Sequence, residues 1–120
     1  MRIANPTAQK GEEIACKYLR KKGYKIIDRN FRKGYGEIDI ISVKDNILVF
    51  TEVKTRTSNQ FGTPFEQIAF YKLKSLTKTA EFYKLLNPKL PDSLRIDAIS
   101  VMLDNLGKVS TIDHIENITS

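Results

Sequence analysis

The chain carries a single cysteine and a single histidine among its 120 residues. One cysteine cannot form an internal disulfide, and one Cys with one His is a poor donor set for zinc. Cys16 follows Ala15 in a helical pattern and reads as a small core or boundary residue. Long hydrophobic runs are also missing. The longest, around Ile26-Ile27 and Ile47 to Phe50, fall far short of the roughly 20 residues that a membrane-spanning helix needs. The first residues, Met-Arg-Ile-Ala-Asn-Pro, lack the apolar stretch of a secretory signal, so a cytoplasmic protein without membrane association is expected. No internal repeat or low-complexity tract interrupts the chain.

What is present is an ordinary globular balance, 41% hydrophobic and 28% charged. That balance and length fit a single domain over 1–120 with one core. Twenty Lys and Arg against fourteen Asp and Glu give a net charge of +6, with a pI near 9.5. The excess suits a polyanion such as nucleic acid, and a solvated basic face would give the same count.

Asn5-Pro6 has the form of a helix start, an Asn cap before Pro at the first helical position, and Gly23 ends that helix. Residues 24–32 read as a strand, Gly34-Tyr35-Gly36 as a turn and Glu37 to Ile41 as an alternating strand. A tight turn at Lys44-Asp45-Asn46 leads into a return strand from Ile47 to Arg56. After a polar loop, Thr63-Pro64-Phe65-Glu66 combines a capping box with Pro at the first helical position, and Asn87-Pro88 stops that helix near Leu86. Strands over 95–103 and 109–115 close the chain around Asn105-Leu106-Gly107. The order α-β-β-β-α-β-β, with a helix joining the third strand to the fourth, implies an α/β fold: a mixed sheet flanked by helices.

If Asp45-Asn46 is a two-residue hairpin turn, Asp39 lies opposite Glu52, Glu37 opposite Lys54, Ile41 opposite Phe50 and Val43 opposite Leu48. One face is then apolar near the turn and charged at the far end. Facing Cβ atoms sit about 4.5–5.5 Å apart, where like charges repel, so two facing carboxylates call for a cation. Mg²⁺, held by one or two carboxylates with water and phosphate oxygens, suits Asp39 and Glu52. Lys54 shares their face and would hold the attacking water or stabilise charge on the phosphorus. Spacing alone equally allows cross-strand ion pairs at an exposed strand end.

Glu12 shares a helical face with Ala8, Ala15 and Leu19 and is placed either to look inward as a third carboxylate or to pack its stem at the boundary with its head in water, whereas Glu13 sits among Lys10, Lys17 and Arg20 as a solvated partner for Lys17. Lys72 falls at helical spacing with Phe65, Ile68, Ala69 and Leu76, so it would reach a phosphate at the site or snorkel from the edge of the apolar stripe. Lys74 and Lys78 look outward, Gln67 is a weaker candidate, and His114 reads as structural or exposed.

Gly11-Glu12, Gly-Glu-Ile-Asp at 36–39 and Val-Phe-Thr-Glu-Val-Lys-Thr-Arg at 49–56 together resemble the bacterial YraN-like family. Phe61-Gly62-Thr63-Pro64, Lys72, Arg95-Ile96-Asp97 and His-Ile-Glu-Asn at 114–117 extend the resemblance over nearly the whole chain. That family is similar to PD-(D/E)XK nucleases, with a restriction-endonuclease-like fold often compared with Holliday-junction resolvases. Ile38 stands where the superfamily's name has proline. The resemblance implies Asp39 and Glu52 as ligands of Mg²⁺ (or Mn²⁺), the Val53 carbonyl as a further ligand, Lys54 as the lysine of the (D/E)XK pair and Glu12 as a helix-borne acid. Lys72, Arg56 and Arg32 are expected on the nucleic-acid backbone, with DNA, branched or bent, as the substrate. A binding domain that has lost cleavage is the alternative. A two-fold homodimer would suit a symmetric substrate.

Overall fold

The computed structural model describes residues 5–34, 36–57 and 70–119, without the side chains of residues 70 and 71. Its elements are α1 (Pro6–Lys21), β1 (Lys25–Lys33), β2 (Gly36–Lys44), β3 (Ile47–Arg56), α2 (Phe70–Leu86), β4 (Ser93–Leu103) and β5 (Val109–Ile115). The expected order and the α/β class are those observed. The capping box at 63–66, Phe61-Gly62 and Gln67 lie outside the described residues.

The N-cap of α1 is Asn5, whose Oδ1 accepts from the amides of Thr7 (3.0 Å) and Ala8 (3.2 Å). At the other end Gly23, at φ +91°, turns the chain into β1, a conformation that costs a residue without Cβ little. The five strands lie in sequence order across one sheet. β3 and β4 run parallel and the other neighbours antiparallel, as a helical crossover between the third and fourth strands requires. The parallel ladder begins at Ile47–Ser93, which pulls the start of β4 two residues ahead of the expected Arg95.

Strand alternation divides the core. On one face Ala15, Cys16 and Leu19 of α1 pack against Ile40, Val49, Ile99 and Val101. On the other, Leu76, Ala80 and Tyr83 of α2 pack against Ile41, Leu48, Phe50 and Ile96. Glu13 ion-pairs with Arg29 of β1 at 3.0 Å, a long-range partner that spacing along the helix does not reveal.

Each helix comes close to the sheet at a glycine. A Cβ on Gly11 would lie 1.8 Å from Thr55 Oγ1, and one on Gly36 would lie 2.5 Å from Ser75 Oγ. Both contacts occur at the end of the sheet away from the β2–β3 turn. Gly11→Ala must therefore push α1 off β3, and we expect a loss of about 1–3 kcal/mol in denaturant unfolding, the usual range for overpacking. Thr55→Ala should recover part of that loss in the double mutant. An equal loss in both backgrounds would contradict the close approach.

Candidate functional site

Asp45 (φ 50°) and Asn46 (φ 62°) both take the left-handed conformation, as the expected two-residue hairpin turn demands. They fix the register. Lys44 faces Ile47, Val43 faces Leu48, Ile41 faces Phe50, and the ladder ends at Ile40–Thr51. Asp39 and Glu52 lie at the next position and form no rung. Asp39 Oδ2 instead accepts a 2.8 Å hydrogen bond from the amide of Val53. Glu37, expected opposite Lys54, makes a 3.2 Å ion pair with Arg32 across β1 and β2.

The cause is a break in the pleat. Residues two apart on a strand share a face, yet Ile38 packs with the α2 cluster and Ile40 with the α1 cluster. On the neighbouring strand, Asn30 has φ 53° between the paired positions Arg29–Ile40 and Phe31–Ile38. Both strands thus change face at one level, and Asp39 occupies that level. Its carboxylate takes over a backbone amide that a continued ladder would have bonded to a carbonyl.

Glu52 is buried, 5% exposed. Its Oε1 meets Lys72 Nζ of α2 at 3.3 Å and Lys54 Nζ at 3.6 Å. Glu52 and Lys54, expected on one face, are thus brought together. Lys72, which was expected either to reach the site or to snorkel, also meets Glu52, and Lys74 and Lys78 are exposed. Glu12, only 6% exposed, follows Gly11 and so enters from the point where α1 comes closest to β3. Burial, then the charge of Glu52, drive the Asp39 carboxyl up to about 8; the Val53 amide opposes the shift, and Glu12 and Glu37 add to it. Four carboxylates therefore share one electrostatic environment.

Among the described residues no three His, Cys, Asp or Glu side chains are grouped so as to hold a metal ion. The side-chain donors at the strand ends are a pair, Asp39 and Glu52, both hard oxygen ligands. Such a pair fits a cation that keeps most of its shell for water and phosphate, as Mg²⁺ does. Two residues beyond Lys54, Arg56 is half-buried, and its Nε is buried with no hydrogen-bond partner among the described residues.

A second polar cluster was not foreseen from the sequence. Asp97, fully buried, accepts from Arg95 Nε (2.9 Å) and Nη2 (3.0 Å), from the Asn117 amide (3.0 Å) and from His114 Nε2 (2.8 Å). His114 is thus a structural histidine. The Arg-x-Asp spacing, which places both side chains on one face of a strand, was the available signal.

An acid whose folded pKa lies above its unfolded value stabilises the fold below the unfolded pKa and loses that contribution as pH rises through the folded one. For Asp39 the window runs from its ordinary value near 4 to about 8. With chelator present, Asp39→Asn should raise the melting temperature at pH 9 by roughly 4 °C or more, and the gain should vanish by pH 4. An unchanged or lowered melting temperature at pH 9 would show that the carboxylate carries no such penalty.

Comparison with other sequences places the chain. The profile of the uncharacterised protein family UPF0102 matches residues 11–101. A UPF0102 protein of Syntrophomonas wolfei is 46% identical over 107 residues, covering 89% of this chain and 91% of that protein. One from Clostridium novyi is 39% identical over 112 residues, 93% of each chain. Another, from Thermotoga maritima, is 42% identical over 110 residues, covering 92% of this chain and 94% of the relative. The matched span holds Glu12, Asp39, Glu52, Lys54 and Lys72 together, and the chain belongs to the UPF0102, YraN-like family.

Proposed function

We propose that the acidic end of the sheet is the active site of a divalent-cation-dependent phosphodiesterase that cuts DNA, with branched or bent DNA as its substrate. The observation that carries this reading is the half-buried Asp39 carboxyl, raised to about 8 by desolvation and by the charge of Glu52, with two lysines drawn onto the buried Glu52. A site that gathers like charges against desolvation is built for a cation. Asp39, Glu52 and the Val53 carbonyl would hold Mg²⁺ or Mn²⁺. When bound, the cation supplies Lewis-acid neutralisation of the scissile phosphate.

The chain's own groups have separable tasks. Lys54 orients the attacking water and stabilises the charge that develops on the phosphate oxygens. Lys72, on α2, binds the phosphate as it leaves Glu52 to the cation. Glu12 completes the acidic wall that orders water there. Arg56 and Arg32 grip flanking phosphates and read no sequence, in keeping with the net charge of +6. The element order, with Asp on the second strand and Glu-x-Lys on the third, is also the arrangement of the PD-(D/E)XK nucleases that the sequence resembles. A two-fold dimer would present two such sites to a symmetric junction.

A second reading, binding without turnover, is favoured by the two ion pairs that already give Glu52 its countercharge. Labelled branched, duplex and single-stranded DNA incubated with Mg²⁺ or Mn²⁺ separates the two. Cleavage should depend on the metal, disappear in Asp39→Ala, and fall roughly 10²-fold or more in kcat for Lys54→Met. Lys72→Met should act mainly on KM. Retention of DNA with no product under any of these conditions would favour the second reading.

A further inference from the structure

The buried Asp97 cluster lies on the α1 face, toward the β2–β3 turn. Lys44, at that turn, is five residues along β2 from Asp39, roughly 16 Å at the rise of an extended strand. A polar cleft of about 260 Å³ opens beside the cluster. Its walls come from Tyr18 of α1, Lys22 just past that helix, Tyr24, Lys44 and Asp45 at the β2–β3 turn, Arg95 of β4, His114 of β5 and Glu116 just beyond it. The acidic site uses none of these residues.

Three cations, Arg95, Lys44 and Lys22, line this cleft beside two carboxylates, Asp45 and Glu116, and Arg95 and Lys44 are held in place by hydrogen bonds. Arg95 is locked by its two bonds to Asp97 and a third to the Tyr24 hydroxyl at 2.7 Å. Those bonds use Nε and Nη2, and Nη1 meets Glu116 at 3.2 Å. Lys44 donates to the Lys22 carbonyl at the end of α1, and its ammonium lies 4.8 Å from the centre of the Tyr24 ring. The Lys22 ammonium lies 5.7 Å from the centre of the Tyr18 ring. A guanidinium pinned by a buried carboxylate is pre-organised, so little side-chain freedom is lost when it meets an oxyanion. The group now on its outward nitrogen is the carboxylate of Glu116, 56% exposed. It is a tethered anion in weak, solvent-screened contact.

We propose that this cleft is a phosphate-binding site, in which the oxyanion displaces Glu116 from Arg95 Nη1 and takes further hydrogen bonds from Lys44 and Lys22. The phosphate is that of a small monoester, such as a mononucleotide, or one belonging to a nucleic-acid strand. The site stands apart from the acidic end of the sheet and holds whether or not that end cuts DNA.

The single histidine of the chain lines the cleft and gives an isolated NMR reporter. The full chain is titrated with inorganic phosphate, with adenosine 5′-monophosphate and with a short duplex, with chloride at matched ionic strength as control. A saturable shift of the His114 ring signals with phosphate or the monophosphate identifies a small-ligand site; one with the duplex alone identifies a strand phosphate. Lys44→Met, which keeps the half-buried stem and removes the charge, should weaken binding at least roughly tenfold, the loss of one charge-assisted hydrogen bond. Glu116→Gln should tighten it several-fold, because the competing carboxylate loses its charge. Asp39→Asn should bind inorganic phosphate and the monophosphate at this cleft as the wild type does, so failure of the acidic-site reading leaves this result untouched. No saturable shift with any of the three, the same shift with chloride, or full affinity in Lys44→Met with dispersed, native-like spectra would overturn the site.

Discussion

The desolvation of the half-buried Asp39 carboxyl, with the charge of the buried Glu52 added to it, is the constraint around which the rest of the sheet end is arranged. Water is largely withdrawn from both carboxyls, and Asp39 answers by holding its proton up to about pH 8. Every neighbouring feature either creates that pressure or relieves it. The Asp45-Asn46 turn sets the register that brings the two acids to one level. The pleat break at Asp39 and Asn30 ends the ladder there and gives the Val53 amide to the carboxylate. Gly11 and Gly36 let both helices approach close enough for Glu12 to enter from one side and Lys72 from the other.

The molecule contains its own control for this account, because Asp97 is buried even more completely. Burial pushes its carboxyl up as well, but the hydrogen bonds of His114, Arg95 and the Asn117 amide win and hold it below the usual carboxylate range. Asp97 is satisfied by the chain itself and ties β4 to β5 and to the segment beyond it. Among the described residues Asp39 accepts from the Val53 amide and has carboxylates for neighbours. One aspartate completes the fold, and the other is the one that the proposed function gives to a cation. Burial acts in the same direction on both acids; the groups around each set the direction of the net shift.

Much of this was legible in the sequence because it depends on local chemistry. The Asn5-Pro6 cap, the Asp45-Asn46 turn and the alternation of Ile41, Val43, Leu48 and Phe50 each have a short-range cause. Extending the register by arithmetic placed Asp39 at the level of Glu52 but could not show that pairing stops one rung earlier. That stop depends on a conformational change in β1, at Asn30, far from β3 in the chain. Helical spacing left Glu12 between an inward and a boundary position and Lys72 between reaching the site and snorkelling; the structure buries Glu12 and seats the partly exposed Lys72 on Glu52. The partner of Glu13, the ends of the Asp97 network and the contact of Gly11 with Thr55 join residues from separate elements, and no local pattern encodes them.

The central claim is that Asp39 and Glu52 form a cation site, and it is tested most directly by anomalous diffraction from a crystal soaked in Mn²⁺. The account predicts a peak between the two carboxylates and against the Val53 carbonyl, with Lys72 withdrawn from Glu52, and no such peak in Glu52→Gln. A peak elsewhere, or both lysines still seated on Glu52 with no manganese beside it, would contradict it.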